Sequence, residues 1–259
     1  AGVSANPQMG QFLSLLPSTI NSTDLGDGLN TGGYGLNRRN NTTRDNVTVK
    51  VDYVASTKHV FTSTYVWNRS LVDRPDADET FEPEAAIGND GSVNLWSGTW
   101  RWSPKPNFTN ELRGGFNLAP GLFNARTPYP SYLLTVPLIT NPVNTFMPQG
   151  RYTDTYNIQN NSNWCKGKHS FAFGVHWQNI KSDSFNNFGI LPTYNIAMSP
   201  DNQKTLVSSQ LPGIGANDLV RANNLLALQA GFMDEATQAF NVTSINSGFV
   251  PGAPDLQKL

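Results

Sequence analysis

The sequence predicts an all-β fold: part of an antiparallel transmembrane β-barrel with long extracellular loops, one of them carrying a helix. Three observations predict it. Segments with two-residue alternation come in pairs. Links inside the pairs are short, and links between pairs are long. The polar face of the alternating segments is mostly neutral, where a water-facing sheet is usually rich in Lys and Glu.

The first pair is residues 44–53 and 59–67. In "RDNVTVKVDY", Val47, Val49, Val51 and Tyr53 fall on one side, with Asn46, Thr48, Lys50 and Asp52 on the other. In "HVFTSTYVW", Phe61, Tyr65 and Trp67 share a side. The second pair is residues 92–102, aligning Trp96, Trp100 and Trp102, and residues 107–118, aligning Phe108, Leu112, Phe116 and Leu118. The third pair is residues 151–164, aligning Tyr152, Tyr156, Ile158 and Trp164, and residues 168–179. In "KHSFAFGVHWQN", Phe171, Phe173, Val175 and Trp177 alternate with Ser170, His176 and Gln178. Side chains at i and i+2 share a face of a strand, so each segment has one apolar and one polar face. A weaker seventh strand is expected over 240–249.

The links 54–58, 103–106 and 165–168 have hairpin length. The links 68–91, 119–150 and 180–239 are long, and structureless loops of that size are uncommon inside compact domains. Outer-membrane barrels have this asymmetry, with short periplasmic turns and long extracellular loops. The expectation is therefore that the short links are periplasmic. The apolar faces, Phe171 to Trp177 included, should contact lipid, and the polar faces should line a lumen. Aromatics near the strand ends fit two interfacial girdles, with Trp67, Phe116 and Trp177 toward the long links. Aromatic cross-strand pairs in a soluble sheet remain the alternative on periodicity alone. Within the last long link, residues 215–240 read as a helix capped by Asn217 or Asp218, with Leu219, Ala222, Leu226, Ala230 and Met233 at helical spacing.

Composition agrees. The chain has 259 residues and a formal net charge of −1, so nothing attracts it to nucleic acid. Charged residues are 14%, below the usual quarter. Aromatics are 11%, more than a disordered chain carries. No apolar run approaches the length of a membrane helix. The chain begins without Met and reads as a piece of something longer.

No catalytic set, metal site or cofactor site is expected. His59 and His169 fall at turns, and His176 lies on a polar face. Cys165 is the one cysteine, so it forms no intrachain disulfide. "GDGLNTGGYG" (26–35) lacks the Lys-Ser/Thr ending of a phosphate loop and reads as flexible. "DRPDADETFEPE" (73–84) reads as a solvated acidic loop, with calcium binding by its carboxylates as the lesser alternative.

Residues 38–76, 109–120 ("TNELRGGFNLAP"), 141–164, 167–178 ("GKHSFAFGVHWQ") and 240–254 ("FNVTSINSGFVPGAP") resemble the TonB-dependent receptors, and are most similar to their Oar-like branch. The resemblance covers roughly 38–254, and its motifs are strand signatures. It implies a 22-stranded outer-membrane barrel of which residues 1–259 supply about seven strands. It implies as well a plug and a TonB-contacting segment N-terminal of this stretch. Implied partners are outer-membrane lipid, the TonB complex and an unidentified extracellular ligand. The expected function is uptake of a bulky nutrient such as a peptide, glycan or siderophore. An outer-membrane adhesin or structural barrel, and a soluble secreted glycan-binding β-protein, are the alternatives.

Overall fold

A computed structural model describes residues 3–26, 31–77, 80–128, 130–242 and 244–251. The chain opens with helix α1 (Pro7–Leu13), followed by strands β1 (Thr42–Ser56), β2 (His59–Asp73), β3 (Ile87–Lys105), β4 (Phe108–Leu118), β5 (Gly121–Ala125) and β6 (Leu133–Thr135). Then come β7 (Gln149–Lys166), β8 (His169–Asn186), β9 (Thr193–Ile196), helix α2 (Ala216–Ala230), β10 (Met233–Thr237), β11 (Phe240–Val242) and β12 (Phe249–Pro251). The main sheet is antiparallel throughout and has seven strands, in the order β1-β2-β3-β4-β7-β8 with β5 paired to both β3 and β7. No pairing joins β1 to β8 among the described residues.

The three expected hairpins are β1–β2, β3–β4 and β7–β8. Their turns are tighter than the sequence suggested: Thr57–Lys58, Pro106–Asn107 and Gly167–Lys168. Gly167 has φ +61°, the left-handed conformation that glycine adopts without a Cβ clash. Neighbouring turns are laced together. The Ser103 amide donates to the Lys58 carbonyl at 2.8 Å, and the Cys165 amide to the Asn107 carbonyl at 2.9 Å.

The seventh strand of the sheet is not the one expected. Residues 240–249 contribute only to the small separate β11–β12 hairpin. The seventh strand is β5, which prolongs β4 between the same two neighbours, β3 and β7. Pro120 explains the interruption, because proline cannot donate to a ladder.

The strands also overrun the alternating segments. β7 and β8 have 18 residues each. At about 3.3 Å per residue and a tilt of about 40°, such a strand rises roughly 45 Å, against an apolar band of about 25 Å. The upper parts, such as "NRSLVD" of β2 and "NIKSDSFN" of β8, are polar and remain ladder-bonded to their neighbours. This extension places Trp177 near mid-strand, paired with Ile158, and not in the upper girdle.

The long links meet in a cap. β6 pairs in parallel with β9, and β9 pairs antiparallel with β10. Helix α2 starts at Gly215 with no side-chain cap, so neither Asn217 nor Asp218 serves as the expected N-cap. It ends at Gly231 (φ +70°), whose amide donates to the Ala227 carbonyl at 2.8 Å. Met233, expected on the helix, stands exposed on β10. The N-terminal helix α1 docks against α2. Asn6 caps α1 by accepting from the Gln8 amide at 2.9 Å, and its own amide donates to the Gln229 carbonyl at 2.9 Å. The buried core of the cap is Met9, Ile196, Ala227 and Leu228, with Phe12, Leu134 and Phe232 packed around it.

Candidate functional site: the two faces of the sheet and the cap

Cross-strand partners in an antiparallel sheet point to the same side, so register alone sorts the side chains. One row runs Tyr53, Phe61, Trp100, Leu112. A second runs Val49, Tyr65, Trp96, Phe116, Tyr156. Phe108, Trp164 and Phe171 form a third. All of these, with Phe173, Val175 and Trp177, share one face. The opposite face carries Thr48, Lys50, Thr62, Thr64, Ser97, Thr99, Glu111, Arg113, Gln159, Asn161, His176 and Gln178. Every apolar alignment read from the sequence falls on the first face, which exposes Val51, Tyr53, Phe173, Val175 and Trp177 by half or more.

Two rings of aromatics cross that face. Near the short turns, ring contacts run Tyr53–Phe61 (6.4 Å), Phe61–Trp100 (6.2 Å), Trp100–Trp102 (6.4 Å), Trp102–Phe108 (5.9 Å) and Trp164–Phe171 (5.6 Å). Higher up lie Trp96–Phe116 (6.0 Å) and Tyr152–Phe185 (6.3 Å). The polar tips of Tyr65 and Trp67 reach toward the long-link end, while that of Trp96 turns down to Ser63. The Tyr65 hydroxyl donates to Asn94 Oδ1 at 2.7 Å, and Trp67 Nε1 donates to Ser92 Oγ at 3.0 Å. Amphipathic rings at a membrane interface take this attitude, apolar body inward and polar tip toward water.

Asparagines pair across strands on both faces, Asn68 donating to Asn46 on the polar one. On the apolar face, Asn110 and Asn160 exchange amide hydrogen bonds at 3.0 and 3.2 Å, and Asn110 Nδ2 also reaches Ser162 Oγ at 2.7 Å. These amides satisfy each other without water, as hydrocarbon surroundings require. On the polar face, Gln159, Asn161, Asn163 and Gln178 have no side-chain hydrogen bond among the described residues and stay available to water or solute. Glu111 and Arg113 pair there at 2.5 Å.

At the long-link end the main sheet is clasped to the loops through Asp73, the last residue of β2, beyond the apolar band. Its carboxylate accepts from Arg39 Nε at 2.8 Å, from the Asn41 amide at 3.0 Å and from Arg126. Arg126 also pairs with Asp90 at 3.1 Å, and Arg39 with Glu84. Asp73 is buried, and the Arg39 guanidinium holds its carboxyl down at about 2, with Asn41 and Arg126 adding to the effect. Within the acidic stretch, Asp76 pairs with its neighbour Arg74 at 2.6 Å. The expectation of a solvated loop fails at Asp73, which Arg39 and Arg126 reach from two other segments, and holds at Asp76 and Glu84, whose side chains stay largely exposed. Residues 78 and 79 of that stretch, and 27–30 of the glycine-rich one, lie outside the described residues.

The histidines are spread out. His59 stacks on Trp100 at 5.9 Å, His169 lies beside Phe171 at 6.2 Å, and His176 stands opposite Gln159 on the polar face. Cys165 is exposed beside a short turn. Sequence reasoning missed the α1 dock and the β6–β9–β10 sheet. The pair Asn6-Pro7 was the available signal for α1: a capping residue followed by a proline at the first helical position.

A family model described as an outer membrane beta barrel domain matches residues 3–249. No curated protein matches, and no solved structure does.

Proposed function

The chain belongs to the outer membrane beta barrel domain family and lies in the outer membrane, and on that premise we propose that it is a wall of a TonB-dependent uptake barrel for a bulky nutrient. The observation that carries this reading is the contrast between the two faces. The apolar face is lined by aromatic and aliphatic side chains with its Asn110 and Asn160 amides paired, while the polar face, besides the paired Asn46 and Asn68, presents Gln159, Asn161, Asn163 and Gln178 to a solute. A polar lumen wall beneath an ordered cap suits capture outside followed by passage inward. The edges β1 and β8 would pair with further staves, since unpaired backbone is not tolerated in lipid. A wide lumen leaks unless plugged. Moving a ligand past a plug requires work, which contact with the TonB complex would deliver. In this reading no bond of the nutrient is made or broken.

The test is uptake by intact cells with and without TonB. Loss of uptake with retained surface binding supports the proposal. Uptake that survives loss of TonB would make this a passive porin. Adhesion without uptake in either strain would make it an adhesin.

A further inference from the structure

A trough of about 460 Å³ crosses the apolar face between the two aromatic rings. We propose that it is a seat for one acyl chain of a membrane lipid. The inference rests on that face being turned to lipid.

The floor is a register row of small residues: Ser63 opposite Gly98, and Gly98 opposite Gly114. Val51 and Ile158 close its two ends, one on β1 and the other on β7. That span covers four strand spacings, about 19 Å. The walls are the aromatic rows on either side, with Trp100 below and Trp96 above. Phe61 and Tyr65, which flank Ser63 on β2, are four residues apart, about 13 Å between Cα atoms before their rings are subtracted. A helix with its side chains is about 10 Å across and does not fit between those rings. An extended hydrocarbon chain does.

The polar content of the trough is small. Ser63 Oγ accepts from Trp96 Nε1 at 3.0 Å, which satisfies the indole N–H within the trough. Arg113, whose backbone borders the trough, turns its side chain to the other face by register and pairs with Glu111. The trough is continuous with the surrounding apolar band, so the medium that fills it is hydrocarbon. Because strands tilt in such barrels, a row across them runs obliquely to the bilayer normal, a path that a tilted acyl chain can follow.

The two glycines differ. A Cβ on Gly98 would lie 2.9 Å from the Trp96 indole, so Gly98 is needed for the wall to lean over the floor. A Cβ on Gly114 meets nothing nearer than the Asn157 carbonyl oxygen at 3.7 Å. Gly114 is open floor, and a larger side chain there occupies the seat itself.

The experiment uses the full-length protein in phosphatidylethanolamine/phosphatidylglycerol vesicles doped with a phosphatidylethanolamine carrying a diazirine on its acyl chain. After irradiation, adducts should concentrate on residues 96–100 and 112–114. Gly114→Leu should lower them about tenfold, the factor that ~1.4 kcal/mol of lost binding produces. Adducts at Val175 should not change. Heat-modifiable gel mobility reports folding, and Ile158→Trp, at the exposed end of the trough, repeats the test if Gly114→Leu does not fold. Adducts spread evenly over the apolar face and indifferent to both variants would reduce the trough to ordinary lipid solvation and overturn the proposal. Barrel-to-barrel crosslinks at the trough would overturn it in favour of a second copy.

Discussion

Asn110 and Asn160 sit opposite Ser162 and Leu112 in the ladder, yet their amides pair diagonally with each other, donating and accepting in both directions on the apolar face of the sheet. The two are not equivalent. Asn110 has Ser162 as a second partner, whereas Asn160 has Asn110 alone among the described residues. Asn110→Leu therefore strands a half-buried amide and should cost about 1 to 3 kcal/mol, more than Asn160→Leu. The double variant, with both amides gone, should recover most of the loss. A double-mutant cycle on urea unfolding of the full-length protein measures this. Additive losses would show the pair to be uncoupled.

The facing assignment makes a second prediction. Phe173 points to the apolar side and Gln178 to the polar side of the same strand. Phe173→Arg should cost about 2 to 4 kcal/mol in the intact barrel, and Gln178→Arg should be mild. Unfolding midpoints of the two variants decide it, and equal losses would reject the assignment.

Sidedness can be tested with the one native thiol. Cys165 is exposed beside a short turn, so a membrane-impermeant thiol reagent should miss it on intact cells and label it after the outer membrane is permeabilised. A cysteine at Gln203, exposed in the last long link, should label at once. Labelling of Cys165 on intact cells would invert the topology.

The Asp73 clasp gives the long-link end an acid sensitivity. The Asp73 carboxyl is lowered from its ordinary 3.8 to about 2, with the Arg39 bond as the first cause. A depressed carboxyl stabilises the fold fully above its unfolded value and loses that contribution as pH falls through the folded one. Hydrogen exchange at residues 39–41 and 121–126 should therefore rise between about pH 4 and pH 2. Asp73→Asn, which leaves Arg39 and Arg126 facing each other without the carboxylate, should show raised exchange already at neutral pH. Exchange indifferent to both changes would show the clasp to be dispensable.

What the sequence disclosed follows from the range of the forces involved. Alternation is a local property of the pleat, so the faces of Val47 to Tyr53 and of Phe171 to Trp177 were readable from a dozen residues. Link lengths were readable because a tight hairpin and a long loop differ in plain count. Strand ends were not. "NRSLVD" carries no apolar alternation, and its ladder is held by β1 and β3 on either side. The cap was hidden for the same reason, since Met9 meets Leu228 and Leu134 meets Tyr194 only in the fold. Asp73 could be seen as acidic, but its burial depends on arginines from segments far apart in the chain.

The two-residue turns carry a consequence for the order of assembly. Three hairpins closed by such turns need almost no loop-closure entropy, so each can zip as a unit soon after its residues are available. The cap is the opposite case. Its core joins residue 9 to residues 196–228, and it cannot close until the last hairpin is complete and the long link has returned. Contacts of such sequence separation are slow to form. The barrel wall should therefore zip first, hairpin by hairpin, and the lid should close last. Pulse labelling during refolding should protect the β1–β2 amides before those of α2.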